Sequence, residues 1–86
     1  MQQINYITMN EIAEVKKCVE SLYQQGETVG LEIRRSRTKG EFYEVKIEGV
    51  YAKFFTVREQ LKKVAITVQY VDVLTGIVNI AQLHNN

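Results

Sequence analysis

A mainly β domain led by one helix is the fold class this sequence predicts, and three observations predict it. Between residues 8 and 25, apolar side chains recur at spacings of three and four. At Gly26 that spacing stops and strict alternation begins. Beyond it, about five short alternating runs are separated by polar or glycine-bearing turns. So many short strands in one small domain leave bare edges unless the sheet curls and closes. The expected architecture is therefore a five-stranded SH3-like or Sm-like small barrel capped by the helix. An open antiparallel sheet with the helix across one face is the runner-up.

The elements follow in order. Residues 8–25 read as the helix. Thr8-Met9-Asn10-Glu11 matches a capping box, with Asn10 as an alternative cap. Ile12, Val15, Val19, Leu22 and Tyr23 form its apolar stripe, and Gly26 supplies a left-handed C-terminal cap. Val29, Leu31 and Ile33 alternate with Gly30, Glu32 and Arg34 as a first strand, and Ser36–Gly40 reads as a hairpin connection. Tyr43, Val45 and Ile47 make a second strand that Gly49 interrupts as a bend or bulge. Val50–Val57 reads as a third strand, with Phe54 on one face and Tyr51 and Phe55 on the other. Arg58–Lys63 is a polar turn, and Val64–Tyr70 is a fourth strand. Val71–Thr75 reads as a short helical turn closed by Gly76. Ile77–Ala81 is a last strand, and 82–86 is a polar tail.

Composition bounds the rest. Eighty-six residues make one domain, 1–86, with a modest core. A hydrophobic fraction of 45% with net charge +1 argues against disorder, and against a strong pull toward nucleic acid or membrane. With one cysteine, Cys18, no internal disulfide forms, and a structural buried thiol is expected. No signal-peptide pattern and no apolar run of membrane length is present, so the expected location is the cytoplasm.

Catalytic chemistry is poorly supplied. His84 is the single histidine and lies two residues from the C-terminal end, a poor place for a general base. Phosphate-loop, dinucleotide, zinc and nucleophile-elbow motifs are all missing, and no metal or cofactor is expected. Charge placement is the uneven feature. Residues 1–33 hold two lysines against five acids, and residues 34–63 hold nine Lys or Arg against four acids. Arg34, Arg35, Arg37 and Lys39, with Ser36 and Thr38 between them, concentrate positive charge on one hairpin, and Lys53 and Lys62 add to it. Guanidinium groups so placed suit phosphates or carboxylates. A solvated hairpin tip is the plainer reading of the same run. Phe42, Tyr43, Tyr51, Phe54 and Phe55 flank it as core residues, base-stacking surfaces or interface anchors. Val71, Val73, Leu74 and Ile77 exceed what one face of a small sheet needs, so they are candidates for a homo-oligomer interface.

The segment Val68-Gln69-Tyr70-Val71-Asp72-Val73-Leu74-Thr75-Gly76-Ile77-Val78-Asn79-Ile80 resembles the closing segment of the Veg family, small proteins of Gram-positive bacteria. Arg34, Arg35, Arg37 and Lys39 fall where that family carries a basic stretch, and the likeness extends over roughly residues 10–80. The chain lacks the glycine before that stretch, and Tyr51-Ala52-Lys53 stands where the family has a tyrosine-proline-serine segment. The resemblance implies a non-enzymatic cytoplasmic small barrel tied to control of biofilm formation through antagonism of a repressor. Its expected partner is a protein such as a transcriptional regulator. RNA or DNA binding through the 34–39 hairpin is the alternative.

Overall fold

The computed structural model describes residues 2–7, 9–36 and 39–85. The chain forms β1 (Gln2–Tyr6), α1 (Ile12–Gln25), β2 (Val29–Arg34), β3 (Gly40–Val50), β4 (Phe54–Glu59), β5 (Ala65–Gln69), α2 (Tyr70–Leu74) and β6 (Val78–Asn85). All strands join one antiparallel sheet in the order β1-β6-β2-β3-β4-β5.

The mainly β class with its one long helix is present, but a strand precedes that helix and the sheet is open, with β1 and β5 at its edges. The expected barrel is not closed, for a reason found at β6. One side of β6 pairs with β2, Leu31 opposite Ile80. The other side pairs with β1, Ile4 opposite Leu83, and the Ile7 N–H donates to the Ile80 carbonyl. That edge is thus occupied from Ile80 onward and is not free to pair with β5. β1 is a strand beyond the five expected, and its pairing draws the supposed polar tail, 82–85, into the sheet.

α1 begins at Ile12 rather than at residue 8. Glu11 is the N-cap residue and its side chain makes no capping hydrogen bond. The expected Thr8–Glu11 capping box is replaced by Glu14, whose carboxylate accepts from the Asn10 N–H at 3.3 Å. Thr8 lies outside the described residues. At the other end Gly26 takes φ +68° and donates to the Leu22 and Tyr23 carbonyls, the left-handed cap that its lack of a Cβ permits.

The alternation from Gly26 onward puts Val29, Leu31, Val45, Phe55, Val57, Val68, Val78 and Ile80 on one sheet face. Val15, Val19 and Leu22 of α1 and Tyr70 and Val73 of α2 complete the core. Cys18 packs beside it, half-buried, and its thiol is pushed up by burial and then by the Glu14 carboxylate.

Gly49 does mark a bulge: Ile47 pairs with Val57 and Gly49 with Thr56, so Glu48 is the extra residue. The bulge leaves the Glu48 carboxylate 2.9 Å from the Arg58 Nε. Val50–Val57, however, is not one strand. The chain reverses at 51–53, where the Tyr51 N–H donates to the Phe54 carbonyl. Tyr51 therefore shares a face with Phe54, rings stacked at 4.9 Å, while Phe55 points into the core. The Tyr51 ring lies over Gly49, where a Cβ would come within 2.7 Å of its hydroxyl.

Candidate interaction site

The hairpin joining β2 to β3 carries the charged residues singled out above. Arg34 donates to Glu32 at 3.2 Å, and Glu32 also accepts from Asn79 at 3.0 Å. Arg35 lies 3.7 Å from Glu41, and its side chain is 69% exposed. The same Glu41 accepts from the Tyr43 hydroxyl, which holds the Tyr43 pKa above the usual phenol value. Lys39 is exposed, and its carbonyl accepts weakly from Ser36 at 3.5 Å. Arg37 and Thr38 lie outside the described residues. Carboxylates are therefore interleaved with the hairpin cations, and the net field of the loop is weaker than its sequence suggests.

β3 runs eleven residues, so its ends are about 33 Å apart. Lys53, in the turn after β3, sits at the far end from Lys39 and does not join the hairpin cluster. Lys62 is closer, in the turn from β4 to β5, and is exposed. Of the candidate oligomer residues, Val73 belongs to the core and Leu74 is half-buried. Val71 and Ile77 are exposed, and the Ile77 carbonyl accepts from the Arg34 N–H at the hairpin base.

Next to the hairpin is a feature that charge counting did not reveal. β2 pairs with β3 all the way out to Gly40, but β4 pairs only as far as Val45 opposite Glu59. The last link on that side is the Gln60 N–H to the Glu44 carbonyl at 3.0 Å. Because backbone groups alternate along a strand, Phe42 and Gly40 also direct N–H and C=O to that side. Among the described residues no strand lies there.

The turn from β4 to β5 leaves this edge open because Glu59 bends it away. The Glu59 carboxylate accepts from the Leu61 and Lys62 N–H groups, both at 2.6 Å. Those two bonds, the Lys62 one first, hold its pKa below the ordinary 4.5, against a smaller opposing effect of burial. Arg58 closes the turn by donating to the Lys63 carbonyl at 2.7 Å.

The result is a groove of about 590 Å³ with Phe42, Tyr43, Leu61 and Lys62 on its walls. Leu61 stands in it 86% exposed. Phe42 lies across Gly30, where a Cβ would come within 2.6 Å of the ring. Phe42 and Tyr43 are legible in the sequence as aromatics flanking the basic run, whereas Leu61 sits within a stretch that reads as a polar turn. A lone leucine between Arg58 and Lys63 was the available signal.

Among the described residues no cluster of three or more His, Cys, Asp or Glu is placed to hold a metal ion. Nor is any helix among them long and apolar enough to cross a membrane. A family model described as "Biofilm formation stimulator VEG" matches residues 10–81 of the chain. No curated protein and no solved structure matches it.

Proposed function

Because this chain belongs to the Veg family, we propose that it stimulates biofilm formation as a non-enzymatic regulatory protein of the cytoplasm, acting through protein contacts. The observation that carries the contact mechanism is the edge of β3 at Gly40 and Phe42, unpaired among the described residues, beside the exposed Leu61. An extended segment of a partner, such as a transcriptional regulator, adds there as a strand in line with β4. Backbone hydrogen bonds supply affinity, and side-chain contacts with Phe42, Tyr43 and Leu61 supply selectivity. Lys62 on the groove wall favours a segment bearing carboxylates at that end, and Glu44 and Glu59 on the same walls favour one that also carries cations.

RNA or DNA binding by the hairpin is the second reading, supported by the exposure of Arg35 and Lys39. The pairing of Arg34 and Arg35 with Glu32 and Glu41 weighs against it.

The test replaces the chromosomal gene with Leu61→Asp and Lys62→Glu variants, both changes being in an exposed turn. The expected result is biofilm mass near that of a deletion strain, with unchanged protein level and melting temperature. Full complementation by both variants would overturn the groove as the contact site. A photo-crosslinking residue at position 61 should trap a protein. Trapping only nuclease-sensitive material would transfer the function to nucleic acid.

A further inference from the structure

The other long side of the sheet ends at β5, and its edge is bare in a way that soluble monomers avoid. The Glu59 N–H donates to the Val64 carbonyl and the Tyr70 N–H to the Lys53 carbonyl. Even-numbered residues of this strand therefore direct their backbone toward β4. By alternation, Ala65, Thr67 and Gln69 turn their N–H and C=O groups outward. All three residues are exposed, and none of these groups finds a partner among the described residues. The devices that usually blunt an edge are missing. The strand has no bulge against β4 and no proline, and no charge lies between Lys63 and Asp72.

We propose that this edge is the contact between two copies of the chain, β5 pairing antiparallel with β5 of the second copy about a two-fold axis at Thr67. Three features at its ends make the strand complementary to itself. Antiparallel pairing centred on Thr67 sets Ala65 opposite Gln69 and forms about six backbone hydrogen bonds. It also sets Val64 of one copy opposite Tyr70 of the other. Val64 is 53% exposed at one end of the strand. At the other end is an apolar groove of about 220 Å³ with Ile12, Ala52 and Val71 on its walls. The two-fold brings each Val64 to the groove of the other copy. Lys62 and Lys63 precede that valine, while Glu11 and Asp72 are the chain neighbours of Ile12 and Val71, so residues of opposite charge are available at both ends. Lys53 at the groove is the like charge they offset.

A two-fold contact of this kind is closed, which fits β5 to a dimer. Pairing of β5 with the β1 edge of another copy would instead continue into chains or rings. The proposal involves a different edge from the β3 groove and stands or falls without it.

Light scattering on the intact chain at several hundred micromolar tests it. A mass near 20 kDa, twice the 10.0 kDa of one chain, is expected. Thr67→Lys places two ammonium groups face to face on the axis and should bring the mass to about 10 kDa at the same concentration. Its far-ultraviolet circular dichroism should not change, since Thr67 is exposed in the single chain. Amides of Thr67 and Gln69 should exchange slowly in the unmodified protein and fast in the variant. A 10 kDa mass for the unmodified chain, an assembly larger than two, or a Thr67→Lys variant that stays dimeric would each overturn the proposal.

Discussion

Replacing Tyr70 by Phe removes one buried hydroxyl, the donor of one hydrogen bond, while keeping the ring. Tyr70 opens α2, is 1% exposed, and lies parallel to Phe55 with centroids 5.7 Å apart. Its hydroxyl donates to the Tyr51 carbonyl at 2.5 Å, nineteen residues earlier in the chain. That bond and the Tyr70 N–H to the Lys53 carbonyl tie the β3–β4 turn to α2. Phe fills the same space, so no cavity term arises and the loss is the hydrogen bond alone. Such a bond contributes about 1 kcal/mol net, and more where the orphaned acceptor stays dry. The residue supplying that acceptor, Tyr51, is 49% exposed, so water reaches the turn and the lower figure applies. For a domain of this size about 1 kcal/mol lowers Tm by about 4–8 °C. Thermal melts and urea titrations of the two proteins at pH 7 measure it, with an unchanged m-value expected. The alkaline limb gives a second reading. Burial is the larger influence on Tyr70 and raises its pKa above the ordinary 10, outweighing the Tyr51 contact that lowers it. Stability from keeping it neutral is therefore complete below pH 10 and is lost as pH rises through the folded value. Tyr70→Phe cannot ionise there and should lose less stability over that range than the unmodified protein. A Tm within about 1 °C of the unmodified protein at pH 7 would refute the view that this hydroxyl locks the turn.

Glu59→Gln should loosen the β4–β5 turn, because an amide accepts the Leu61 and Lys62 N–H groups less strongly than a carboxylate does. Since the folded pKa is depressed below 4.5, the difference in Tm should be full at pH 7 and shrink as pH falls through the folded value. A pH-independent difference would contradict that assignment. Leu31→Ala, at a fully buried position between β3 and β6, should cost about 2–5 kcal/mol in urea unfolding. Gly30→Ala should displace the Phe42 ring, lowering Tm and changing the near-ultraviolet circular dichroism of that aromatic. If the hairpin bound nucleic acid, Arg35→Ala with Lys39→Ala would flatten the slope of log affinity against log salt by about two. With the protein-contact reading no salt-dependent binding to nucleic acid is expected.

The helix, the bulge at Gly49 and the helical turn closed by Gly76 were readable because each is written in neighbouring residues. Apolar spacing sets which face of α1 is buried, and a glycine at φ +68° or +83° marks where the chain turns. The Veg resemblance is legible for the same reason, since it rests chiefly on a contiguous segment near the C-terminus and on the basic run at 34–39. The turn at Tyr51 is not legible in the sequence, because alternation such as that of Val50–Val57 does not say where a strand folds back.

What only the tertiary structure decided was pairing between distant parts of the chain. Gln2–Tyr6 and 82–85 are polar enough to pass as tails, yet they pair across nearly the whole length of the chain and so keep the sheet open. The early end of β4 beside a longer β3, and the bare edge of β5, likewise arise from strand registers. Local periodicity determines which face of each strand meets the core. Which backbone edges remain unpaired depends on the neighbours that the whole chain provides, and on this protein those edges are where partners are proposed to dock.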